Sequence, residues 1–180
     1  DQPVYTMPTN GSCVVDWNID HQRIDGFGAS SAWQRSWTTA QADMFFSTNS
    51  GTGLARNGTP FAFTGIALSL LRTRIAPGAT TVENSIMQMA QARGARVWSA
   101  PWSPAATFKS NGNVNCGGFV GNAANYHAYA SQLAGYAVRM KNTYGINLYA
   151  LSIQNEPDAK VTTYESCNWR NLFAGRKENA

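Results

Sequence analysis

Gln154, Asn155, Glu156 and Pro157 follow directly on the apolar run 148–153, and together they describe a strand that stops at a carboxylate. Pro157 has no backbone donor to continue a ladder, so Glu156 is left at the C-terminal tip of that strand. In parallel α/β barrels this tip is where chemistry is done. A glutamate there, with an asparagine before it, suits glycoside hydrolysis: the carboxyl can protonate the leaving oxygen while the amide hydrogen-bonds a sugar hydroxyl. The plainer reading is a strand end carrying a solvated glutamate, and three more residues bear on the choice. Arg72 lies within a largely apolar strand, where an unpartnered guanidinium is costly. It reads either as a sugar-binding group or as one half of an ion pair with Asp25 or Glu156. Trp102 follows a third strand and can floor a sugar subsite or pack under a Pro-rich loop, and Trp33 after the first strand is a weaker case of the same kind.

The elements that must position these groups are strands alternating with helical patterns, the signature of βα units and a parallel sheet. Four units are expected. The first strand is read at residues 22–28, with a helix opening at Thr38, where Gln41 gives capping-box spacing. The second covers 66–75 and leads to a helix over about 82–93 closed by Gly94. The third covers 96–100 and precedes a Pro- and Asn-rich loop. A long helix comes next, with Tyr126, Tyr129, Leu133, Tyr136 and Met140 spaced to form one apolar face. The fourth strand runs into Glu156. Residues 1–20 form an N-terminal β segment, 21–169 the partial barrel, and 170–180 a polar, basic tail.

Composition narrows the field further. A chain of 180 residues, 43% hydrophobic and 13% charged, supports one substantial core. The net charge of +4 is spread along the chain, which argues against nucleic acid as a partner. No apolar stretch approaches the roughly 20 residues of a membrane helix. A chain starting at Asp1 fits a mature secreted protein or an artificially trimmed one, and an extracellular location is the expectation. Cys116 and Cys167, each in a loop after a strand, are expected to pair and leave Cys13 unpaired; no close cysteine spacing suggests zinc. There is no G-x-S-x-G elbow, no H-E-x-x-H, and no third glycine after Gly26 and Gly28 for a dinucleotide loop, and neither His21 nor His127 stands beside a nucleophile. No cofactor or metal is expected.

Four segments in order carry a resemblance: 24–30 (IDGFGAS), 70–75 (LLRTRI), 99–104 (SAPWSP) and 151–158 (LSIQNEPD). With these the chain, from about residue 13 to 169, resembles glycoside hydrolase family 30, and its wording is most similar to the xylanases. The resemblance implies the N-terminal half of an eight-stranded (β/α) barrel with a β side domain, to which residues 13–18 would belong. It also implies retaining, endo-acting cleavage of β-1,4 linkages in glucuronoxylan or arabinoxylan, with β-1,6-glucan or β-1,6-galactan as the alternative. Glu156 matches the family's general acid/base, Asn155 the asparagine that contacts the sugar beside the scissile bond, and Arg72 and Trp102 its subsite positions. A barrel mouth walled by aromatic rings would desolvate the acid.

The family's nucleophile follows a seventh strand, whereas this sequence stops shortly after the fourth, so the second carboxylate is expected from outside these residues. Glu165 and Asp158, the acids nearest Glu156, are not placed by the resemblance to face the anomeric carbon. Half a barrel leaves its first and fourth strands as open edges, which a second copy or another chain is expected to cover. A catalytically inactive half-barrel that binds carbohydrate or a partner chain is the competing expectation.

Overall fold

The computed structural model describes residues 11, 18, 22–159 and 161–169. In chain order it has strand β1 (Gly28–Ser30), helix α1 (Thr39–Phe46), strands β2 (Ser50–Leu54), β3 (Pro60–Thr64) and β4 (Leu70–Ile75), helix α2 (Asn84–Ala92) and strand β5 (Arg96–Pro101). Helix α3 (Ala123–Tyr144) and strand β6 (Leu148–Leu151) complete it. β1, β4, β5 and β6 form one sheet in that order, and every neighbouring pair is parallel. Each of the first three is followed by a helix before the next sheet strand, so the expected βα alternation is present. β1 and β6 are the edges of this sheet.

Period-two alternation sorts the residues of the central strands. In β4, Leu71, Thr73 and Ile75 turn towards the helices and are at most 1% exposed, which leaves Leu70, Arg72 and Arg74 on the opposite face. The helix side is the core. Leu71, Ile75 and Val97 meet Ile86, Met87 and Ala90 of α2 and Leu133, Tyr136 and Met140 of α3 there. Tyr129 is buried with them as the spacing predicts, but Tyr126 stays 43% exposed and stacks on Phe119. Polar atoms on this side are paired: Thr73 Oγ1 lies 2.6 Å from Ser99 Oγ, which lies 3.3 Å from the Tyr136 hydroxyl.

The helix ends follow from side-chain chemistry. Thr38 and Gln41 make the full capping box on α1, Asn122 caps α3 by accepting from the Asn125 N–H, and Gly145 closes α3 at φ 68°. α2 is shorter than its sequence pattern because Val82 stays exposed and Glu83 sits at the N-cap.

Two expectations are corrected. The first strand pairs over Gly28–Ser30, later than the apolar pattern at 22–28, and Ile24 and Phe27 remain exposed. Gly28 sets this register, because a Cβ there would stand 2.5 Å from the Leu70 carbonyl oxygen and only glycine lets the strands close. The second strand likewise begins at Leu70, since Ile66 to Ser69 are spent returning the chain from an antiparallel hairpin, β2 with β3. That hairpin was not anticipated. Gly51 and Gly53 make β2 read as a loop, yet the rings of Phe63 and Phe61 lie across them and supply the missing packing surface.

Gly65 joins the hairpin to β4, and a Cβ on it would stand 2.1 Å from the Ser47 carbonyl oxygen and 2.4 Å from that of Asp43. Both are backbone atoms that close α1. Gly65→Ala is therefore expected to cost about 1–3 kcal/mol, as overpacking does, and to lower the thermal midpoint. An unchanged midpoint by calorimetry would show that the turn yields freely.

Candidate active site

The C-terminal ends of the parallel strands open onto a cleft of about 380 Å³ lined by Trp33, Arg72, Trp102, Asn155, Glu156 and Tyr164. Five of these were singled out from their places relative to four separate strands. Folding brings all five together. Asn155 is held by its N–H, which donates to the Pro101 carbonyl at 2.7 Å, continuing the β5–β6 edge past the last ladder pair. Gln154 ties the same loop sideways: its Nε2 donates to the Trp102 carbonyl at 2.7 Å, and its Oε1 accepts from Trp169 Nε1 at 3.2 Å.

Arg72 projects from the inner face of β4. Its guanidinium donates to Asn155 Oδ1 and lies 4.5 Å over the Trp102 ring and 5.3 Å over the Trp98 ring. Aromatic faces and one amide oxygen thus take the place of the ion pair considered from the sequence. Asp25 is engaged elsewhere, by Arg23 at 3.4 Å and the Tyr149 hydroxyl at 3.2 Å. Burial lowers the Arg72 pKa, opposed by the charge of Glu156, and an arginine so placed remains a cation.

Glu156 carries its carboxyl into the open side of the cleft, with the Tyr164 hydroxyl donating to its Oε2 at 3.3 Å. Its backbone is in the left-handed region at φ 47°, and so is that of Trp33 at φ 72°. Neither is glycine. Such conformations cost of order 1–3 kcal/mol and persist only where neighbours enforce them, as at ligand-binding positions. For Trp33 the neighbours are evident: the Arg74 guanidinium lies 4.1 Å over its ring, and the ring meets Trp102 edge-on at a centroid distance of 6.2 Å.

The sequence reading missed Tyr164 and the pair behind it. Arg74 donates through Nε to Glu165 Oε2 at 2.9 Å and through its terminal nitrogen to Glu165 Oε1. No periodic signal marks this loop, and the one cue was that Glu165 and Arg74 each needed a partner. Further support comes from Lys109, 5% exposed, whose ammonium donates to the carbonyls of Cys116 and Ser166 at 2.5 Å each and to Ser103 Oγ at 3.1 Å.

The expected Cys116–Cys167 disulfide is not formed, and both thiols are free. The two segments are joined instead by Lys109 and by direct bonds such as Cys116 N–H to Ser166 Oγ at 3.0 Å. Burial pushes the Cys167 thiol up to about 11, so it is an unreactive packing group. Cys13, His21, the segment expected to be a side-domain strand (apart from residues 11 and 18) and the tail 170–180 lie outside the described residues. Among the described residues no three of His, Cys, Asp or Glu gather as metal ligands, and no helix is long and apolar enough to cross a membrane.

A parallel sheet with helices on one face and a carboxylate, an amide, a guanidinium and aromatic rings at its strand tips defines a section of a (β/α) barrel with its polar mouth. Known proteins narrow the class. The chain is 32% identical over 151 residues to glucuronoxylanase XynC of Bacillus subtilis strain 168, a match covering 81% of this chain and 32% of that protein. Its structure is similar to that of Xyn30A, a glycoside hydrolase family 30 subfamily 8 xylanase from Clostridium acetobutylicum, with TM-score 0.67 and 34% identity over 85% of this chain and 37% of that one. The catalytic domain of family 30 xylanase C from Talaromyces cellulolyticus aligns with TM-score 0.62 and 27% identity over 82% of this chain and 40% of that one. No protein-family model matches. These likenesses support a place among the xylanase-like members of glycoside hydrolase family 30, and the partial coverage fits their N-terminal half. It spans about a third of the length of the curated relatives it matches.

Proposed function

We propose that this chain carries the acid/base half of a retaining, endo-acting xylanase site, with Glu156 protonating the leaving oxygen of a β-1,4 linkage and then activating water. The observation that supports this is the convergence of Trp33, Arg72, Trp102, Asn155 and Glu156 on one cleft. Arg72 donates to Asn155 Oδ1, which turns the two N–H groups of that amide outward as donors to a sugar hydroxyl. Trp33, half exposed, offers apolar surface to the pyranose ring, and the mostly buried Trp102 floors the cleft beside it.

Retention needs a second carboxylate roughly 5–5.5 Å from the first. Among the described residues Glu156 is the one acid lining the cleft, and Glu165 is held by Arg74. The nucleophile therefore comes from outside the described residues. The same additional segment, a second copy or another chain would cover the edges β1 and β6. A two-fold dimer of this sheet would put its two Glu156 residues on strands equivalent to four and eight, the wrong separation for a four-and-seven pair. In this reading the described residues 22–159 and 161–169 form the barrel portion, and an extracellular location suits a polymeric substrate.

A second reading, a half-barrel that binds xylan without cutting it, is favoured by that single carboxylate. Incubating the chain with glucuronoxylan, arabinoxylan and β-1,6-glucan separates the two. With the second carboxylate supplied by that additional segment or partner, release of reducing ends from either xylan is the expected result. Retention on insoluble xylan with no new ends would support the binding protein, and neither outcome on xylan with cleavage of β-1,6-glucan would move the specificity.

A further inference from the structure

Tyr164 and Glu165 are consecutive residues of the loop after β6, and their side chains have different tasks. Glu165 is seized by Arg74 through two parallel hydrogen bonds, with both side chains less than a fifth exposed. A bidentate guanidinium–carboxylate pair in such surroundings fixes orientation as well as position. Arg74 cannot swing away, because its guanidinium is stacked on Trp33 and its backbone N–H donates to the buried Glu83 at 3.2 Å. The loop is held again one residue later, where the Ser166 carbonyl accepts from Lys109 and Ser166 Oγ donates to the Val161 carbonyl at 2.7 Å. Immediately before these anchors the Tyr164 ring reaches back over eight residues of chain to set its hydroxyl against Glu156 Oε2 at 3.3 Å.

We propose that Tyr164 is the positioning residue of Glu156, and that the Arg74–Glu165 pair is the latch that holds Tyr164 in place. An exposed carboxylate on a left-handed backbone can rotate about three side-chain bonds, and a fixed donor on one of its oxygens selects the rotamer that leaves the other oxygen over the cleft. The role rests on the reading of Glu156 as the general acid/base, but the contact itself can be tested without turnover. Partial burial, the Glu156 charge and the shared hydrogen bond all raise the Tyr164 phenol above its ordinary value.

The test follows the ring carbon bearing the hydroxyl in ¹³C-tyrosine-labelled protein, with Tyr164→Phe used to assign the Tyr164 signal. In the unaltered chain this signal is expected to titrate later than an ordinary phenol, and in Glu156→Gln earlier than in the unaltered chain. Arg74→Met is the discriminating variant. Removing a nearby cation by itself would raise the phenol's midpoint, whereas releasing the latch withdraws the ring from Glu156 and lowers it. A fall in both variants supports the inference, and a Glu156→Gln variant with no fall overturns it. A rise in Arg74→Met, or a loss of its folded spectrum while Arg74→Lys leaves the midpoint unchanged, overturns the latch. Xylan hydrolysis measured in parallel judges the functional reading separately. An inactive chain with the Tyr164 response intact would sink that reading and leave this one standing. In an active chain, Tyr164→Phe is expected to lower kcat about tenfold with KM little changed, and an unchanged kcat would refute the positioning role.

Discussion

Glu156→Gln is expected to lower the release of reducing ends from glucuronoxylan by about 10²- to 10⁴-fold, the range that a positioned general acid contributes. The substitution keeps the shape of the side chain and removes only the proton it can deliver. Glu156 is exposed and takes part in no buried network, so the fold should be unaffected. Retention of the variant on insoluble xylan should also persist, because Trp33, Trp102, Arg72 and Asn155 remain. Hydrolysis that survives within threefold would remove Glu156 from the mechanism, whatever the resemblance to xylanases. With an aryl xyloside whose leaving group needs no protonation, azide should restore turnover of Glu156→Ala and give the β-glycosyl azide, which would tie the residue to the acid/base role of a retaining reaction.

Between pH 4.5 and 8 the chain is expected to lose about 3 kcal/mol of stability through one side chain, Glu83. It is 1% exposed at the start of α2, where its carboxyl accepts from Ser31 Oγ at 2.6 Å and from the Arg74 N–H at 3.2 Å. Burial outweighs these bonds and lifts its pKa from 4.5 to about 7. Between those values the folded state holds a proton that the unfolded chain has released. Stability is therefore fully present below pH 4.5, falls as pH rises through 7, and is level above it. Glu83→Gln should flatten this interval relative to the unaltered protein in urea unfolding at several pH values. Parallel slopes in the two proteins would show that Glu83 ionises freely in the fold. The position matters for the cleft because Glu83 links the residue after β1 to the strand that carries Arg72 and Arg74.

How much of this was legible beforehand depended on the range of the interactions involved. Strands β4, β5 and β6 and the three helices are encoded by apolar spacing and by local caps such as Thr38 with Gln41, which act within a few residues. The hairpin was not legible, since Gly51 and Gly53 lack side chains of their own and are completed only by rings on the partner strand. The start of β1 was misread for a related reason: Ile24 and Phe27 are apolar, but the close approach of Gly28 to Leu70 decides where pairing begins. Reading Cys116 and Cys167 as a pair took shared location for bonding, where a buried lysine does the joining.

Sequence alone determined the parallel βα arrangement and placed Glu156, Asn155, Arg72, Trp102 and Trp33 on or just after its strands, because a strand's C-terminal end and its apolar run are local properties. Tertiary structure decided which partners those residues have. Arg72 binds an amide 83 positions away instead of an acid, Arg74 takes Glu165 from 91 positions away, and Tyr164 reaches Glu156 only because that latch holds its loop. Hydrogen bonds and ring contacts depend on ångström-scale geometry between distant segments, and that geometry exists only once the sheet has brought its strand tips together.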